Sequence, residues 1–270
     1  MGFNGIGGYL NVPAMIPWPI MVVYFAAVIT FVILFSWKRG GLSRFKTVDL
    51  VYIGVGSAFT VVWEFFVGPL LDKIVPSGLA AYISFGFFGR ILIVLIIAGL
   101  VRKVGTGMLS LAIFDVLGDI FHYGFGGEPI FMLYEAFTYG LFIDLAIAVS
   151  RGHLFGVGLE HKVSSRKNIF KNGGAKTPAS ADPPAAVNPP VIAWYSSPRF
   201  IAGITGALIG LLWATPDSFI YGGFFEPLLY GGIVDWSRLL FSFVAFIPGD
   251  VAFGIIAGLL AARIARVLGQ

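Results

Sequence analysis

RKVGTGMLSLAIFDVLGDIFHYGFGGEPIFMLYEAFTYGLFID, Arg102 to Asp144, reads as a helical hairpin that crosses a bilayer twice. Arg102-Lys103 marks its basic end, and the glycine-rich YGFGGEP at 123–129 marks its turn. Asp115, Asp119 and Glu135 fall inside segments otherwise apolar enough to span. A carboxylate at membrane depth is costly, so each of these acids marks a candidate functional position. His122, Tyr123, Tyr134 and Tyr139 stand close to them in sequence, which makes the hairpin the expected wall of a site.

The rest of the chain supports the membrane reading. Of its 270 residues, 57% are hydrophobic and 12% charged, with a mean hydropathy of +0.89. Soluble domains carry about 25% charged residues. The fold class expected is therefore an all-α polytopic membrane helix bundle. The absence of cysteine excludes disulfides, thiolate metal sites and cysteine nucleophiles. There is no GxxxxGK[ST] phosphate loop and no HExxH zinc motif. Ser57, Ser110 and Ser242 are isolated from any base. No catalytic residue, metal ligand, cofactor or nucleic-acid partner is expected.

Seven spans are expected, at Met15 to Ser36 and about 48–70, 81–101, 106–122, 130–150, 198–216 and 238–263. Each is long enough for most or all of ~30 Å of hydrocarbon. Ile247-Pro248-Gly249-Asp250 predicts either a kink or two half-helices, the latter giving eight spans. The charges of the first run follow it rather than precede it, unlike a secretory leader, so it reads as a retained helix. The segments are a tail and additional helix at 1–47, a first core part at 48–150, a basic then Pro/Ala-rich loop at 151–197, and a second core part at 198–270. With the N-terminus outside and the C-terminus cytoplasmic, fifteen of the eighteen Lys and Arg fall in inner loops. That is the bias expected of a multi-pass cell-membrane protein.

The acids distribute oppositely. Asp72, Glu128, Asp217, Glu226 and Asp235 are expected in outer loops, and Glu64, Asp119 and Glu135 in the outer halves of spans. Arg90 lies within a span, where the cost of burial predicts an acidic partner. A weak echo links YGFGGEP at 123–129, YGGFFEP at 221–227 and EFFVGPLL at 64–71, each setting glutamate near proline at an outer boundary. Glu135 and Tyr139 share a helix face, as do Asp115, Asp119 and His122. Carboxylates interleaved with aromatic rings suit a flat, cationic or heteroaromatic ligand, through stacking and cation–π contact. The expected binding set is Trp63, Glu64, Asp119, His122, Tyr123, Glu128, Glu135 and Tyr139, with Trp213 opposite. Small residues recur at close-packing spacing as Gly54/Ala58, Gly206/Gly210 and Gly254/Gly258, and Gly54 with Ala58 is the expected partner-docking surface.

Arg102-Lys103-x-Gly105, Leu109-Ser110, the acid-bearing helix and the Gly-Gly-Glu-Pro turn, with the closing GDVAFGIIAGLLAARIARVL at 249–268, carry a resemblance. Together they resemble the S component of an energy-coupling-factor (ECF) transporter, nearest to the thiamine/hydroxymethylpyrimidine type. The resemblance covers roughly 48–150 and 198–268. It implies a six-helix core that captures a vitamin or precursor near the outer face. It also implies two kinds of partner, a transmembrane coupling subunit and ATPase subunits. The additional N-terminal span and the 151–197 insert depart from that pattern. Two other readings stay open: a non-catalytic integral subunit of a larger membrane complex, and a stand-alone secondary transporter.

Overall fold

In hydrocarbon no water satisfies a backbone amide, so each apolar run closes its own hydrogen bonds as a helix. The computed structural model describes residues 12–39, 41–80, 82–122, 124, 129–158 and 197–269. Its long helices are α1 (Trp18–Arg39), α2 (Thr47–Asp72), α3 (Phe85–Val101), α4 (Thr106–Phe121), α5 (Ile130–Val149), α6 (Pro198–Tyr230) and α7 (Trp236–Val267). Five of these, α1, α2, α5, α6 and α7, are long and apolar enough to cross a membrane, and α3 is a shorter apolar helix. The protein is an all-α bundle of the polytopic membrane type.

Two boundaries differ from expectation. α6 does not stop at 216 but runs to Tyr230, because Pro216 opens a π-helical segment, Pro216–Phe225, rather than a loop. Asp217 and Glu226 therefore lie in a helix and not in an outer loop. α7 is one helix through Pro248, with no break into halves. The 151–197 segment also begins differently: Leu154, Phe155 and Val157 fold back into the core, and Phe155 packs against Gly99 and Gly258. Residues 159–196 lie outside the described set.

Small residues set the closest packing. Gly206 faces the Gly254 carbonyl, Gly210 faces that of Asp250, and Gly258 faces that of Ala202. The two small-residue motifs of α6 and α7 thus pack on each other, so their backbones approach closely. Gly54 has open space where a side chain would project, and Ala58 is exposed. This face of α2, with Val55 and Phe59, is left uncovered by the bundle.

Helix ends are tied across the bundle. α4 begins at Gly105 without a capping side chain of its own. Asp144 of α5 supplies one, accepting hydrogen bonds at 3.0 Å from the amides of Gly107 and Met108 while fully buried. Replacing Asp144 with alanine strands these donors, and the expected loss is about 2–3 kcal/mol of stability, given the charged acceptor. Thermal unfolding of the detergent-solubilised variant checks this. Asp72 caps α3 in the same manner, through the Phe85 amide at 2.7 Å. At the start of α7, the Ser237 hydroxyl and the amides of Ser237 and Arg238 hold the Asp235 carboxyl below its ordinary value. Lys103 pairs with Asp49, joining the α3–α4 turn to the start of α2 at the basic end.

α1 lies along the bundle and is fastened at the opposite end. Tyr24 donates its hydroxyl to the Phe137 carbonyl at 2.8 Å, and Ile16 donates its amide to the Gly223 carbonyl at 2.9 Å. Both acceptors lie in π-helical segments of α5 and α6. Trp236 of α7 adds a hydrogen bond from Nε1 to the Ala14 carbonyl, 2.8 Å.

Candidate functional site

Among the described residues, three helices widen into π turns: α2 at Trp63–Val67, α5 at Ala136–Gly140 and α6 at Pro216–Phe225. Such turns re-aim side chains and concentrate at functional sites. In α6, proline at the first position lacks the N–H that would continue the regular ladder. Glu64 lies in the first π turn. Glu135 precedes the second, which holds Tyr139, and Asp217 and Ser218 lie in the third.

At the centre is Arg90 of α3, only 5% exposed. Its Nη1 donates to Glu135 Oε1 at 2.5 Å, and its Nε lies 3.1 Å from Glu64 Oε2. The sequence implied one acidic partner, and the fold supplies two from different helices. The guanidinium also stands 4.8 Å from the ring centre of Phe87, 5.3 Å from Phe114 and 5.5 Å from Tyr139. Asp115, Asp217 and Asp250 lie within the field of the same arginine without forming an ion pair with it. Each of α2 to α7 thus contributes one ionisable group: Glu64, Arg90, Asp115, Glu135, Asp217 and Asp250. Five are acids and one is a base.

Aromatic rings wall this cluster. Trp213 is fully buried with its ring centre 4.7 Å from Tyr139, and Tyr139 lies 6.0 Å from Phe87. The Tyr134 hydroxyl donates to that of Tyr139 at 3.4 Å. Several buried polar atoms have no hydrogen-bond partner among the described residues. They include both carboxylate oxygens of Asp250, Asp115 Oδ2, Glu135 Oε2, Trp213 Nε1 and Ser218 Oγ, and also Arg90 Nε and Glu64 Oε2, which face each other as an ion pair without hydrogen-bond geometry. Buried polar groups in folded proteins are almost always bonded. A set of donors and acceptors left open together is what a polar ligand would complete. Among the described residues, no group of three or more Asp, Glu or His side chains is placed to hold a metal ion.

Of the binding residues expected from sequence, the fold brings Glu64, Glu135, Tyr139 and Trp213 together around Arg90. Trp63 goes elsewhere: its Nε1 donates to the Phe85 carbonyl at 2.8 Å and its ring packs on Gly89 beside Ile93 and Ile97. It joins α2 to α3. Asp119 is half-buried one turn beyond Asp115. His122 is exposed, stacked on Phe65 at 4.5 Å, and Phe65 stacks on Phe114 at 5.8 Å. Tyr123 and Glu128 lie outside the described residues. Arg90, Asp217, Asp250 and Ser218 join the cluster although sequence spacing did not select them. Their shared signal is a polar residue within or beside an apolar helix. The sequence matches no known protein family, no curated protein and no solved structure at a significant level.

Proposed function

We propose that this chain is the substrate-capture subunit of an ECF-type importer. Its ligand is a small cationic or heteroaromatic nutrient of the thiamine or hydroxymethylpyrimidine kind. The observation that carries the reading is the Arg90 cluster, with five acids against one base inside a ring of Phe87, Tyr134, Tyr139 and Trp213. A ligand cation offsets that excess of acid, and a flat ring stacks on tyrosine and tryptophan. The Arg102-Lys103 end faces the cytoplasm by the positive-inside bias, which puts the cluster in the outer half of the cell membrane. The uncovered Gly54/Ala58 face of α2 is where a transmembrane coupling subunit docks, and ATPase subunits drive release inside.

Binding to the full-length protein in lipid nanodiscs tests this, with thiamine and hydroxymethylpyrimidine as probes in calorimetry. Glu64→Gln and Glu135→Gln each are expected to weaken binding about tenfold or more, the worth of one charge-assisted hydrogen bond. Both variants should still insert and run as the wild type on size exclusion. Unchanged affinity in both variants sinks the site assignment, and a wild type that binds neither probe sinks the ligand class.

A second reading rests on Asp250 of α7, whose two carboxylate oxygens have no hydrogen-bond partner among the described residues. A buried acid of this kind suits proton or cation coupling in a transporter working alone. Uptake into proteoliposomes driven by an ion gradient, without ATP, separates the two readings.

A further inference from the structure

At the far end of α6 and α7 from Arg90, the antiparallel helices leave an open groove of about 650 Å³. It is lined by Arg199, Arg263 and Arg266 over Ala202, Ala262, Leu259 and Val267. Arg199 stands in the first turn of α6, while Arg263 and Arg266 stand in the last turns of α7, so antiparallel packing gathers all three at one opening. Arg266 is held in place by a hydrogen bond from Nε to the Ala262 carbonyl, 3.1 Å. Among the described residues, the lining carries three cations and no acid. This inverts the composition of the Arg90 cluster at the other end.

A basic bundle end is expected of any multi-pass chain, but that bias spreads arginines over loops. It does not set three around one apolar-floored groove. Planar guanidinium groups bind phosphate oxygens through paired, directional hydrogen bonds. Basic pockets between membrane helices hold anionic headgroups, and the exposed Leu259 and Val267 give acyl carbons a surface beside the charges. We propose that this groove is a phosphate-binding site for a phosphate-bearing anion, with the lipid phosphodiester headgroup and free phosphate as its two sources.

Native mass spectrometry of the full-length protein tests this. The protein is titrated with phosphatidylglycerol, with phosphatidylcholine and with inorganic phosphate. The wild type is expected to retain phosphatidylglycerol in preference to phosphatidylcholine. Arg263→Gln, at an exposed side chain, should weaken that retention about fivefold, and the Arg199/Arg263/Arg266 triple glutamine variant by more than tenfold. Retention of inorganic phosphate in place of the lipid, lost in the same variants, makes free phosphate the natural source. Arg44→Gln, an exposed charge of the same basic end outside the groove, should leave retention unchanged. Equal retention by the wild type and Arg263→Gln overturns the proposal. So does a loss in Arg44→Gln as large as that in Arg263→Gln, because a diffuse field rather than a site would then hold the anion.

Discussion

Arg90→Leu is expected to cost about 3–5 kcal/mol of stability, which is the penalty for stripping one member from a buried ion pair. Leucine keeps contact with the Phe87, Phe114 and Tyr139 rings, so lost packing is not the main cause. The damage comes from what stays behind. Glu64 and Glu135 lose their shared cation, and Asp115, Asp217 and Asp250 lose the positive charge in whose field each lies. Neutralising the two direct partners as well, in Arg90→Leu/Glu64→Gln/Glu135→Gln, should restore at least half of the loss. Denaturation of the purified proteins in detergent, followed by tryptophan fluorescence, measures both. A triple variant no more stable than the single one would assign the role of Arg90 to its contacts with Phe87, Phe114 and Tyr139 instead.

The second large effect is steric. Gly206→Leu drives a side chain into the carbonyl of Gly254, and backbone cannot move aside as a flexible side chain can. Overpacking of a core costs about 1–3 kcal/mol. Here whole helices must separate, so the upper end of that range or more is expected. Asp250 and Trp213 share the α6–α7 contact, one turn from Gly254 and two turns from Gly206, so ligand binding should fall together with stability. Gly54→Leu provides the contrast. Nothing lies within 4 Å of the position a Cβ would take there, and leucine is a better helix former than glycine. Its stability in detergent should equal or exceed that of the wild type.

The fold class was legible because a bilayer leaves little choice: long apolar runs must be helices, and five of the seven expected runs lie in helices long and apolar enough to cross, while 81–101 and 106–122 give shorter ones. Glu64 and Glu135 were legible for the same reason, since an acid stands out inside an apolar run. The partners of Arg90 were not. Spacing along one helix says which residues share its face, but not which neighbouring helix turns an acid toward it. Asp217 was misread because Pro216 and Gly222-Gly223 usually end a helix, whereas here a π turn carries the helix past them. Trp63 showed the converse, an aromatic residue beside a site acid whose ring turns to another helix. Phe155 was hidden in a stretch whose basic character suggested a solvated loop, although its first residues pack inward.

The π turns reach beyond the side chains they contain. Each wide turn adds backbone relative to a regular helix, where one residue advances the direction of view by about 100°. α2, α5 and α6 therefore have two angular phases, one on each side of the widening. A stripe of residues followed along one side of the widening therefore shifts in direction on the other side. A single amphipathic pattern fitted along the whole of such a helix blends the two phases and blurs both. In α6 the tight packing of Gly206 and Gly210 thus lies before the widening, and Asp217 lies within it.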